Sequence, residues 1–196
     1  MTLEYNDLTD YRHLQWDIIL CESQQAMAFG LLLLKKLGMK SVIDVGCGPG
    51  IYLLPHKWRG CEVFGIDGCD GAGQCLDPKE FELVDLRQPW IPPKEYDMSL
   101  CIEVAEHIQP EYVDILMDTL CKCAPLCCFT AARPGQGGCG HFNCQDKSYW
   151  VEKFGVRGFV LYEELTRDLH SVIDVDCAYE PCQWMRHNFM VFRQEI

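Results

Sequence analysis

Seven consecutive residues, Asp44-Val45-Gly46-Cys47-Gly48-Pro49-Gly50, carry the sharpest chemical signal in this chain. Glycines placed directly after a β-branched run let the backbone turn tightly and come close to a ligand, where a Cβ would collide. A dinucleotide turn of the form G-x-G-x-x-G/A needs a small residue at position 51, and this chain has Ile51. Pro49 stiffens the turn further. With no pyrophosphate to cradle, the G-x-G-x-G spacing suits a nucleoside thioether better than a nicotinamide dinucleotide.

Acidic residues follow at the ends of later β-rich runs. Asp67, which precedes Gly68, can accept both ribose hydroxyls of an adenosine, because an ionised acceptor makes strong hydrogen bonds. Asp85, in Val84-Asp85-Leu86, can accept from an adenine amino group while Leu86 packs on the ring. Next comes Glu103-Val-Ala-Glu106-His107. If the chain turns helical there, Glu103, Glu106 and His107 share one face, being three and four residues apart. One imidazole and two carboxylates can hold a divalent metal, with His141 as a fourth ligand. Without metal, Glu106, His107 and His141 are the candidates for catalysis, and either histidine can serve as general base, since histidine titrates near neutral pH.

These residues need a scaffold, and the pattern between them predicts one. Apolar positions from Leu14 to Leu37 recur at helical spacing, and Gly38 follows as a stop. Short strands are predicted at 41–45, 61–66, 81–84, 96–102, 125–132, 159–162 and 189–192. Helices are expected at 50–58, 110–122 and 146–155. Such alternation means an α/β fold, an open and mainly parallel sheet with helices on both faces. In such sheets the ligand sits beyond the carboxyl ends of the strands, where strand order reverses. The glycine-rich segment 134–140, with His141, Phe142 and then Tyr149-Trp150, reads as a substrate lid at that end.

The ordered set 44–50, 65–67, 84–86 and 103–108 resembles the class I S-adenosylmethionine-dependent methyltransferases over roughly residues 40–160. The lid segment is similar to one in bacterial and phage methyltransferase-domain proteins of unassigned substrate. The resemblance implies a Rossmann-like three-layer α/β/α sandwich of seven strands, mostly parallel with an antiparallel last strand. It implies S-adenosyl-L-methionine as cofactor, with Asp44, Gly46, Cys47, Gly48 and Gly50 around its methionine part. Asp67 and Gly68 would hold the ribose, Asp85 and Leu86 the adenine, and Glu103 would also border the cofactor. The E-x-x-E-H run looks like the metal site of plant small-RNA 2′-O-methyltransferases and ubiquinone-pathway O-methyltransferases, but Glu-His here also occurs in methyltransferases without metal.

Composition narrows the partners. The chain has 196 residues, 48% hydrophobic, consistent with a single domain. Residues 1–40 are expected to form a helical cap and 41–196 the catalytic core. A formal charge of −12, with the 17 basic residues scattered, argues against long nucleic acid. No long apolar run suggests a membrane span, and no secretion signal is visible, so a cytoplasmic location is expected. The 14 cysteines include no Cys-x-x-Cys, so mostly reduced thiols are expected. The expected reaction is methyl transfer to an oxygen or nitrogen of a small or terminal acceptor. Two alternatives remain open here: metal-assisted RNA 2′-O-methylation, and a catalytically silent partner subunit.

Overall fold

The computed structural model describes residues 23, 26–176 and 187–195. Its first strand, β1 (Ser41–Val45), is buried along its whole length, as a run of β-branched residues with strands on both sides requires. Around it stand β2 (Glu62–Asp67), β3 (Phe81–Leu83), β4 (Met98–Ile102), β5 (Leu126–Thr130), β6 (Phe159–Leu161) and β7 (Met190–Gln194). They form one seven-stranded sheet in the order β3-β2-β1-β4-β5-β7-β6. The first five pair in parallel, while β7 runs antiparallel to both β5 and β6. The expected class, a Rossmann-like three-layer α/β fold with an antiparallel last strand, is the one observed.

Side chains alternate across each strand, so the sheet builds two cores. On one face Ile43, Val45, Cys101 and Phe129 meet α3 (Val113–Cys123) and α4 (Lys147–Gly155) through Leu116, Leu120, Trp150 and Phe154. The rings of Phe154 and Phe192 stack there at 3.8 Å. On the other face Val42, Leu100 and Cys128 meet α1 (residues 26–37) and α5 (Glu163–Asp176) through Phe29, Leu33, Leu165 and Leu169. Cys101, Cys127 and Cys128 are buried thiols, which burial pushes well above the usual thiol range. They behave as small hydrophobes.

Several boundaries differ from the sequence-based expectation. Of the helix expected at 10–38, residues 10–22 and 24–25 lie outside the described residues. Its end is at Gly38, whose φ is +60° and whose N–H donates to the Leu34 carbonyl at 3.1 Å. The helix expected at 50–58 opens as a 3-10 turn (Ile51–Leu53) before α2 (Leu54–Trp58). β4 starts at Met98 rather than Tyr96, because Asp97 turns its carboxylate onto the N–H groups of Lys40 and Ser41 at the entrance to β1. The helices expected from the sequence stop at 155, whereas the structure adds α5, which covers one face of the core; 177–186 lie outside the described residues. Among the described residues no helix is long and apolar enough to cross a membrane.

Candidate functional site

Strand order reverses between β1 and β4, the point at which sheets of this kind carry their ligand crevice beyond the carboxyl edge. The turn after β1 stands at that edge. Gly46, Gly48 and Gly50 all have positive φ (+82°, +51° and +92°), which side-chain-bearing residues rarely adopt. A Cβ on Gly46 would stand 2.4 Å from a Val104 methyl carbon, so the segment after β4 presses directly on the turn. Cys47, within the turn, is buried. The amides of Gly46 and Cys47 donate to the Ile66 carbonyl at 2.8 and 3.1 Å, which ties the turn to β2.

Asp44, the penultimate residue of β1, is 2% exposed, and its Oδ1 has no hydrogen-bond partner. Burial, helped by the nearby Asp67 charge, pushes its pKa up to about 7. Asp67 ends β2. Its two oxygens accept the N–H groups of Gly48 at 2.9 Å and Cys69 at 2.7 Å. Burial raises its pKa and those two bonds oppose the rise. A carboxylate has about four acceptor sites, so the side chain keeps capacity for further donors. Gly68 lies beside the end of β3, where an added Cβ would meet the Val84 carbonyl at 3.4 Å.

Asp85 and Leu86 follow β3. Leu86 is buried, and Asp85 is gripped by Arg87, whose Nε and Nη2 donate to its two oxygens at 2.9 Å each. The same guanidinium lies 5.8 Å from the centre of the Tyr112 ring. Sequence reasoning placed Asp85 at this edge but not its partner.

Glu103 corrects one expectation. It does not join Glu106 and His107 on a helical face, because the chain leaves β4 through Glu103 at φ +52° before a 3-10 turn at Ala105–His107. Glu103 is the one residue other than glycine with positive φ among the described residues. Such a conformation costs roughly 1–2 kcal/mol, and it persists only where the surroundings enforce it. Here the Glu103 N–H donates to Thr130 Oγ1 at 2.8 Å. Its carboxylate accepts from Gln136 Nε2 at 3.1 Å and from Asn188 Nδ2 at 3.1 Å.

The residues that do converge are Glu106, His107 and His141, each with one potential ligand atom within 4.8 Å of the others. Glu106 is fully buried. Its Oε1 accepts the Ala132 N–H at 3.0 Å, and its Oε2 has no partner. Burial and the neighbouring Glu103 carboxylate push its pKa well up. Its backbone carbonyl accepts the N–H groups of Phe142 and Asn143 at 2.8 and 2.9 Å. The glycine-rich loop therefore starts and ends on one residue. His107 Nδ1 donates to the Gly140 carbonyl at 3.1 Å, and its ring packs edge-on to His141 at 4.8 Å. Burial lowers the His107 pKa to about 4, with His141 adding to the shift. His141 Nδ1 sits 3.3 Å from the Gln136 carbonyl.

Gln136, Asn188 and Thr130 were missed. Asn188 lies 85 residues from Glu103. One signal was available: a residue that precedes an antiparallel strand lies at the same edge as residues that follow parallel ones.

Residues 22–130, more than half of the chain, match a family model described as a methyltransferase domain. The chain belongs to that methyltransferase-domain family. The ubiquinone biosynthesis O-methyltransferase of Acinetobacter baylyi is 29% identical over 153 residues, covering 70% of this chain and 58% of that protein. The chain thus spans less than two thirds of this curated relative. Among solved structures, the sugar N-methyltransferase KedS8 of a Streptoalloteichus species matches with a TM-score of 0.68 at 13% identity, covering 94% of this chain and 92% of that one. Magnesium protoporphyrin IX methyltransferase of Synechocystis, solved with bound S-adenosylhomocysteine, matches at 0.59 and 20% identity, covering 76% and 78%. These two likenesses establish the shared fold.

Proposed function

We propose that this chain moves a methyl group from S-adenosylmethionine to an oxygen or nitrogen of a small or terminal acceptor. The observation that carries the reading is Asp44 Oδ1, a buried carboxyl oxygen without a partner at the switch point of the sheet. Burying such a group is costly unless a donor or cation meets it, and the methionyl end of the cofactor carries both. Around it, the backbone of Gly46, Gly48 and Gly50 gives close approach, Asp67 and Gly68 serve the ribose, and Asp85 and Leu86 the adenine. Glu103 and Cys47 complete the wall. When bound, the cofactor supplies a methyl on a positively charged sulfur, open to in-line displacement.

The protein's part is alignment, water exclusion and proton removal. His107 is held in one tautomer, with its Nδ1 proton on the Gly140 carbonyl, so that Nε2 is the basic nitrogen of the ring. Its lowered pKa keeps it neutral at physiological pH. His141 stands beside it on the lid. We read residues 41–196 as the catalytic core and 1–40 as its cap, since Ala26, Phe29 and Leu33 pack in one cluster with Leu165 and Phe189.

Calorimetry with S-adenosylhomocysteine tests the reading. Binding to the wild-type chain, lost in Asp44→Ala, supports it. A wild-type chain that shows no binding removes it. Labelled methyl donor with pools of small hydroxyl and amine compounds then reports the acceptor.

A second reading has its own observation. Glu106 Oε2 is unsatisfied beside two histidines whose Nδ1 atoms face backbone carbonyls, an arrangement that orients imidazoles toward a metal. The donor set of one carboxylate and two imidazoles fits a divalent cation, held by Glu106, His107 and His141. There it would polarise an acceptor hydroxyl. Titration with Mn²⁺ decides: micromolar binding that disappears in His107→Ala and His141→Ala favours it, and no binding dismisses it.

A further inference from the structure

Glu103, Gln136 and Asn188 close a ring of side-chain hydrogen bonds. Gln136 Nε2 donates to Glu103 Oε2 at 3.1 Å, and Asn188 Nδ2 donates to Glu103 Oε1 at 3.1 Å and to Gln136 Oε1 at 3.0 Å. The members come from three places: the end of β4, the glycine-rich loop, and the entry to β7. Asn188 is 1% exposed. It reaches the site because β7 is antiparallel. Met190 pairs with Phe129 near the end of β5, so the residues just before β7 stand at the carboxyl edge of the sheet.

The ring holds a strained residue. Glu103 keeps positive φ, and the next residue, Val104, is the one that presses on the glycine turn at Gly46. The same ring fastens the loop, since Gln136 sits between Gly135 and Gly140, both of positive φ, and its carbonyl faces His141. One amide side chain therefore touches the wall of the donor crevice and the segment that carries a candidate acceptor-side histidine.

We infer that Gln136 and Asn188 are positioning residues that act through Glu103, so that the acceptor loop and the cofactor crevice order together. This rests on the methyltransferase reading above. Neither residue needs to touch the cofactor. Their amides donate to and orient the Glu103 side chain, and Glu103 in turn sets the path of Val104 over the turn.

The test is a double-mutant cycle read in S-adenosylhomocysteine affinity of the full chain. Gln136 is half-buried on a loop, so its variants leave the core intact. Gln136→Ala and Gln136→Met should each weaken binding by about five- to tenfold, as loss of one hydrogen bond to Glu103 implies. Methionine fills the space without the amide and separates bonding from bulk. On a Glu103→Ala background, Gln136→Ala should add nothing. Asn188→Ala should behave as Gln136→Ala does, with its melting temperature recorded to separate folding from binding. Wild-type affinity in Gln136→Met, or an undiminished effect of Gln136→Ala on the Glu103→Ala background, overturns the inference while leaving the methyltransferase reading intact. A wild-type chain that binds no S-adenosylhomocysteine overturns both.

Discussion

The carboxylate of Asp67 accepts the amide hydrogen of Gly48 at 2.9 Å, so the residue that ends β2 also holds the turn that follows β1. Removing it takes away a ribose acceptor and loosens the turn together. Asp67→Ala should weaken S-adenosylhomocysteine by about 10- to 100-fold, the range of one or more charge-assisted bonds. Asp67→Asn should fall between, because its remaining oxygen still accepts one amide. Calorimetry on the three proteins is the check, and equal affinities would remove the ribose assignment.

Asp44 gives the binding a defined pH dependence. Its pKa without ligand lies near 7, raised by burial and by Asp67. A cationic ligand end favours the ionised carboxylate, so a proton must leave when the ligand binds below that pH. Affinity should therefore be level just above pH 7 and fall as pH drops, by up to about tenfold per unit. Asp44→Asn should bind weakly at every pH and lose the slope. The same shift sets a stability trend. The folded carboxyl keeps its proton while the unfolded chain, near 3.8, has released it, so the apo protein loses stability as pH rises from about 4 to 7.

His56 acts in the opposite sense. It is fully buried on α2, and neither ring nitrogen has a partner. Burial lowers its pKa from 6.5 to about 4. Both states are neutral above pH 6.5. Below it the unfolded chain takes up a proton that the folded chain refuses until about pH 4, and stability falls across that window. His56→Leu should stabilise the protein by about 1–3 kcal/mol at neutral pH, as expected for removing an unsatisfied buried polar group. At about 2–4 °C per kcal/mol, the gain should be visible in the melting temperature and should widen toward pH 5. A constant gain over that range would contradict the assignment of charge to His56.

Gly138 isolates the acceptor side. Its φ is ordinary, but an added Cβ would stand 2.1 Å from His141 Nε2. Gly138→Ala must displace the imidazole. Turnover of any acceptor should drop at least tenfold, and by more than S-adenosylhomocysteine affinity, which the displaced ring reaches only through Gln136. Equal losses in both on a Gln136→Met background would mean that His141 belongs to the cofactor side.

How far these features could be read in advance depended on their range in the chain. Parallel strands all end at one edge, so Asp44, Asp67 and Asp85 could be placed there from short β-branched runs and the residues after them. The glycines of the first turn declared themselves by type. Glu103 did not, because its backbone is set by Thr130 and by two amides from distant segments, none of which shows as a local pattern. Arg87 escaped for a similar reason. A basic residue two positions after an acidic one has no fixed geometry until β3 and the Tyr112 ring confine it. The helical character of 163–176 was hidden by its charged first turn, Glu163-Glu164, although Leu165 and Leu169 carry the spacing of a buried face.

The insertion of β7 between β5 and β6 has a consequence for how the molecule is made. A ribosome delivers β6 before the strand that is its partner in the sheet, so that segment must wait beside an open flank. Asn188 emerges with the last strand, and the Glu103 bend gains its amide from that strand only then. The Glu103 bend is therefore completed only after 85 further residues have been made, through a contact of long sequence separation at the edge that carries the candidate site.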